Sequence, residues 1–170
     1  MPEQKTRAAV AADRLQAITG AMLGEVDQLP PEIINWIPAE GVWSVMDILC
    51  HIREFVPFWT GETLRIAARH DEKWGRDHTD TARLAAVTGT AANNLEDVVA
   101  DIRRAVRRSA EALNDLSDAD LAVEATSKNP RWGLKPASFV VDHLLVEHVE
   151  KHRGQIRRNV TQFGQARTKA

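Results

Sequence analysis

With a single cysteine, Cys50, among 170 residues, the chain has no pair for an internal disulfide and fits a reducing compartment. A net charge of -2 supplies no surplus of positive charge for a nucleic acid or an anionic membrane to neutralise. No run approaches the roughly 20 consecutive apolar residues that a membrane span requires. The opening stretch MPEQKTRAAVAADRLQ carries charges throughout and holds no continuous apolar core, so it does not read as a secretory signal. These absences lead us to expect a cytoplasmic protein with neither nucleic acid nor membrane as partner. β-branched alternation and internal repeats are also missing. The short β-prone pieces, IIxW and VW, fall in connections, so no strand is expected.

What the sequence does have is helix. With 44% hydrophobic and 27% charged residues, the composition suits one soluble domain over residues 1–170 with a real core. Val10, Leu15, Ile18 and Met22 recur at helical spacing and predict a first helix from about Glu3 to Gln28, stopped by Leu29-Pro30-Pro31. Ser44 predicts an N-cap, with Asp47 approximating a capping box and Trp43 and Ile48 in the staple positions. The second helix should run from there to about His70, with an inner stripe of Val45, Ile48, Ile52, Phe55, Trp59 and Ile66 and a possible kink at Pro57. A third helix is expected from about Ala91 to Leu116. A fourth should start near Pro136 and reach about Phe163, with Val141, Leu144, Leu145, Ile156 and Val160 inward. Residues 71–89 read as a polar loop with one short helix, and 117–135 as irregular. Four long amphipathic helices in one chain predict an all-α four-helix bundle with long connections between helices 2 and 3 and between helices 3 and 4.

The chemistry-bearing residues gather late in the chain, in HLLVEHVEKHRGQI, residues 143–156. His148 and His152 lie four apart, so a helix stacks both on the line of Leu145 and Ile156. An H-x3-H pair is how one helix offers two imidazoles to one metal, and a third ligand must come from another helix. His51, between Ile48 and Phe55 on the core side of the second helix, is the candidate. Neutral imidazoles suit zinc, nickel, iron or copper. Three histidines without a fourth protein ligand leave a position open for water or substrate. Spacing alone leaves a second reading open, in which the histidines are core residues bonded to carbonyls.

The segment W-x6-W-S-V-x-D-I-L-x-H-I, Trp36 through Ile52, and the closing H-x3-H-R-G-Q-I, residues 148–156, resemble the signature of the DinB/YfiT-like superfamily. The likeness follows the chain nearly throughout, with the two motifs about 100 residues apart. It implies a four-helix bundle of up-down-down-up order, a divalent metal such as Zn, Ni or Fe on His51, His148 and His152, and a homodimer. The family includes S-transferases that use bacillithiol, mycothiol or glutathione, a maleylpyruvate isomerase and metal-dependent hydrolases. Among these activities, a transferase joining a low-molecular-weight thiol to a small electrophile is our first expectation. Hydrolase or isomerase activity, or a bundle that only binds metal or a small ligand, stand as alternatives.

A bound metal lowers the pKa of a coordinated water or thiol, so one site can serve either nucleophile, and neighbouring residues decide. Glu54 is a candidate base or partner of a ligand, against an exposed charge. Gln155, three after His152, is a candidate hydrogen-bond partner of a ligand. Trp36, Phe58 and Trp132 are candidates to wall a substrate pocket, against a role as core plugs. His143 is expected on the opposite, solvated face, and His70 and His78 in an exposed loop that could cover the site. Cys50 should point about 100° away from His51 and be buried. The basic run RRAVRR, residues 103–108, has acidic partners at helical spacing and no interleaved aromatic, so it reads as a solvated face.

Overall fold

The computed structural model describes residues 5–168. Thr6 accepts the amide of Ala9 through its hydroxyl and starts α1 (Arg7–Val26). Glu3, where the periodicity placed that start, lies outside the described residues. Pro31 opens the one-turn α2 (Pro31–Ile34). At Ser44 both halves of the capping box form: the hydroxyl takes the Asp47 amide at 3.1 Å and the Asp47 carboxylate takes the Ser44 amide at 2.9 Å. From there α3 (Val45–Ala67) continues through Pro57. The expected short helix in the polar connection is α4 (Thr81–Ala86), capped by Asp80, and a 3₁₀ turn at Thr90–Ala92 follows. Asn94 caps α5 (Leu95–Asn114), and Ser117 with Asp120 makes a second capping box on α6 (Asp118–Leu121). The last rod is continuous: α7 (Ala137–Phe139), a π-helical stretch over Val140–Val146, then α8 (Glu147–Thr168).

The four long helices enclose one core, in which Leu15, Met22, Ile48, Ile52, Phe55, Ile102, Leu113, Leu145 and Ile156 are buried. α1 packs on α5, α5 on α3, α3 on the last rod, and that rod on α1 again. The first and second long helices therefore sit on one diagonal and the third and fourth on the other, while α3 and α5, also consecutive, are neighbours. The connection after α3 explains the order. It doubles back along α3, with the Gly75 amide on Glu62, the Arg76 guanidinium on Glu54, the Asn93 amide on the Cys50 sulfur and the Thr90 hydroxyl on Asp47. It thus delivers α5 to the N-terminal end of α3, and the two helices run the same way, giving the up-down-down-up bundle.

Two expectations need correction. Strands do occur: β1 (Glu124–Thr126) pairs antiparallel with β2 (Leu134–Pro136), and Trp74 bridges to Ser127 alongside them. Each strand is three residues of mixed exposure, too short to show alternation. Val10 and Val160 are not inward but 46% and 36% exposed. The buried face of α1 runs through Ala8, Ala12, Leu15, Thr19, Met22 and Val26, from which Val10 is rotated away; in α8 the buried line is Val149, His152, Ile156 and Asn159.

Candidate metal centre

His51 stands two turns into α3, and His148 and His152 stand at the start of α8, where the two rods pack together. One ligand atom from each of the three rings lies within 4.8 Å of the other two, so the group could hold a metal ion. All three side chains are withdrawn from solvent, His51 and His152 fully and His148 in large part. Hydrogen bonds fix how two of them present their nitrogens. His148 donates Nδ1–H to the Leu144 carbonyl at 3.2 Å, and His152 donates Nδ1–H to Gln155 Oε1 at 3.1 Å. Both acceptors select the tautomer whose Nε2 lone pair is free. Nε2 of His152 and Nδ1 of His51 are buried with no hydrogen-bond partner. Buried polar atoms are rarely left orphaned, and two within one cluster of imidazoles fit a cation that would satisfy them.

Electrostatics keep the rings neutral. Burial, reinforced by the neighbouring His152 and His148, pushes His51 down to about 2. Burial and His152 push His148 down to about 3. Burial also lowers His152, partly opposed by the Gln155 bond. A metal ligand must be unprotonated, so the donor set is ready across the physiological range.

Aromatic rings wall the cluster. Phe55 stacks on His148 with centroids 4.2 Å apart. Trp43 lies edge-on to His51 at 5.0 Å and parallel to His152 at 6.0 Å. Buried Asn159 holds this wall in place by donating to the Trp43 carbonyl at 2.8 Å.

A family model described as the DinB superfamily matches residues 14–156, which include all three histidines. The chain belongs to the DinB superfamily. Among solved structures it is similar to YfiT from Bacillus subtilis, described as a probable metal-dependent hydrolase with an unusual four-helix bundle topology. That match has a TM-score of 0.77 and 12% identity, and covers 96% of this chain and 93% of the other. No curated protein matches the chain.

In this DinB bundle the histidines open on one side to a cleft of about 440 Å³. His51 and His148 form part of its floor, Trp59 and Trp132 its apolar wall, and Arg76, Arg83, Arg131 and Lys151 stand around it. Of the anticipated pocket residues, Trp132 lines this cleft. Trp36 does not: it packs edge-on against Phe163 at 5.3 Å and borders a separate depression beside Val42. Phe58 lies beneath Arg76, whose guanidinium sits 3.8 Å above its ring, and acts as a platform rather than a wall. Glu54 is neither a solvated charge nor hydrogen-bonded to an imidazole. Both of its oxygens take the Arg76 guanidinium, each at 2.6 Å. Gln155 accepts from Nδ1 of His152, a candidate ligand. Cys50 is buried, as expected.

His143 corrects the helical wheel. It is exposed and paired with Glu147 at 2.8 Å, yet it stands at the cleft. A regular α-helix advances 100° per residue and would turn it well away from His148. The π-helical stretch bonds one residue further along and turns less per residue, which brings His143 round toward the cleft. His78 also borders the cleft, whereas His70 borders another depression beside Glu124. Sequence reasoning missed Trp43 as a wall, having placed it only in the staple, and missed the cations of the 76–83 segment. The proximity of Trp43 to Ser44 and His51 was the available signal.

Proposed function

We propose that the chain is a metal-dependent enzyme in which His51, His148 and His152 hold one divalent ion, zinc, nickel or iron, and in which the adjoining cleft receives a small-molecule substrate. The observation that carries this reading is the pair of orphaned, buried ring nitrogens converging from two helices beside an open cleft. When bound, the ion supplies a nucleophile at neutral pH by lowering the pKa of water or a thiol at the position the protein leaves open. The chain's own residues do the rest. Leu144 and Gln155 orient the rings, Phe55 and Trp43 exclude water from the closed side, and Trp59 and Trp132 offer apolar surface to the substrate.

Hydrolysis is the first reading, because YfiT, which shares the fold, is described as a probable metal-dependent hydrolase. One observation favours thiol transfer as the second. Glu54 is committed to Arg76, and among the described residues no carboxylate hydrogen-bonds His51, His148 or His152. A thiol, with an ordinary pKa near 8.5, needs less help to ionise than water does.

Metal content is measured first, on the wild type and on His148→Ala/His152→Ala. Zinc-, nickel- and iron-loaded proteins are then offered a panel of esters and amides. In parallel they are offered glutathione, mycothiol or bacillithiol with monochlorobimane. Metal-dependent ester or amide cleavage supports the first reading and metal-dependent bimane conjugation the second. Metal binding without either reaction would overturn the enzymatic reading and leave a binding protein.

A further inference from the structure

The cleft beside the histidines is out of keeping with the molecule as a whole. The chain carries a net charge of -2, yet four cations and one carboxylate, Asp77, line this one depression. Arg76 is already neutralised, its side chain 7% exposed and held by Glu54 and Asp80. Arg83, Arg131 and Lys151 have no ion-pair partner among the described residues. They come from three separate parts of the chain: α4, the turn between the strands, and α8. Each is held on a built element. Arg83 belongs to the helix that Asp80 caps, and Asp80 in turn holds Arg76, which is clamped to α3 by Glu54. The Arg131 amide is fixed by the Asn129 side chain at 3.0 Å. Three imidazoles kept neutral add no negative charge to the site, so a divalent ion there would retain its full charge.

We propose that the substrate of this cleft is a small organic anion, whose carboxylate or phosphate oxygens are held by Arg83, Arg131 and Lys151 while its reacting group faces the histidines. This deepens the metal-enzyme reading and rests on it for the position of the reacting group. Guanidinium groups match the paired oxygens of a carboxylate or phosphate, and charge-assisted bonds are stronger than neutral ones. Trp59 and Trp132 would contact the apolar carbon skeleton between the charged end and the metal. The three residues determine specificity and take no part in bond making.

Binding is tested by calorimetric titration of zinc-loaded and metal-free full-length protein with glutarate, its uncharged diamide and inorganic phosphate. Metal content is read on the same samples. Glutarate should bind and the diamide should not, and phosphate binding would show that the charged end alone suffices. Raising salt from about 50 mM to about 500 mM should weaken glutarate binding, because screening shortens the reach of the cations. Arg83→Gln/Arg131→Gln should weaken it by about tenfold or more, since each removes a hydrogen bond to a charged group. Arg107→Gln/Arg108→Gln removes the same charge from the exposed face of α5 and should leave it unchanged. Equal binding of diacid and diamide, or equal loss in the two double variants, would overturn the anion cleft. A protein that takes up no zinc would sink the metal reading instead. Arginine-dependent glutarate binding to that protein would still support the cleft.

Discussion

At the scale of single residues, the histidines carry the account, and their second hydrogen bonds should be measurable. Removing Gln155 leaves the His152 ring without its orienting acceptor. Gln155→Ala should weaken zinc binding by roughly 10–100-fold without unfolding the protein, as read by competition with a chromophoric chelator. The depressed histidine pKa values fix a sign for pH dependence. In the metal-free folded protein His51 and His148 stay neutral down to about 2 and about 3, whereas the unfolded chain takes up protons from about 6.5. The unfolded state therefore binds more protons between those limits, and folding stability falls as pH drops through that window. The slope is up to roughly 1.4 kcal/mol per pH unit for each histidine. Urea midpoints at pH 7, 6, 5 and 4 should decline for the wild type and decline less for His51→Gln. Much of this chemistry was legible, because H-x3-H and His51 are fixed by helical spacing. The cations were not, because Arg76, Arg83 and Arg131 meet the histidines only through the tertiary path of two loops.

At the scale of elements, the connection over residues 68–94 is fastened to α3 by the Arg76–Glu54 clamp. The pair is half-buried or better, and breaking one partner strands the other. Arg76→Gln should cost about 2–4 kcal/mol in urea denaturation and raise amide exchange across residues 76–90 while sparing α1 and α5. Gly75 belongs to the same device. Its φ of +86° is the left-handed region, which a side chain disfavours, and its amide reaches Glu62, so Gly75→Ala should loosen the same segment. The long helices were readable from caps and periodicity, Ser44 and Asp47 most plainly. The hairpin was not. Its three-residue strands are fixed by Trp74, which read as part of a polar loop but is fully buried, stacked on Trp132 and bonded from Nε1 to the Ala125 carbonyl.

At the scale of the whole molecule, a diagonal order of helices brings α3 and the last rod together as neighbours, so that His51 can meet two residues nearly 100 positions later. The same order requires the long return path after α3, and that path brings Arg76, Asp77, His78 and Arg83 to the cleft. Among the described residues no helix is long and apolar enough to cross a membrane. The family resemblance also implies a homodimer, and light scattering on the eluting protein should give a mass near twice 18.9 kDa; a value of 18.9 kDa would exclude it.

The convergence of three imidazoles on one cation is tested most directly by metal content. Purified protein equilibrated with zinc and freed of excess should retain about one equivalent by elemental analysis, and His148→Ala/His152→Ala, folded by circular dichroism, should retain almost none. Equal metal in the two proteins, or none in the wild type, would contradict the account.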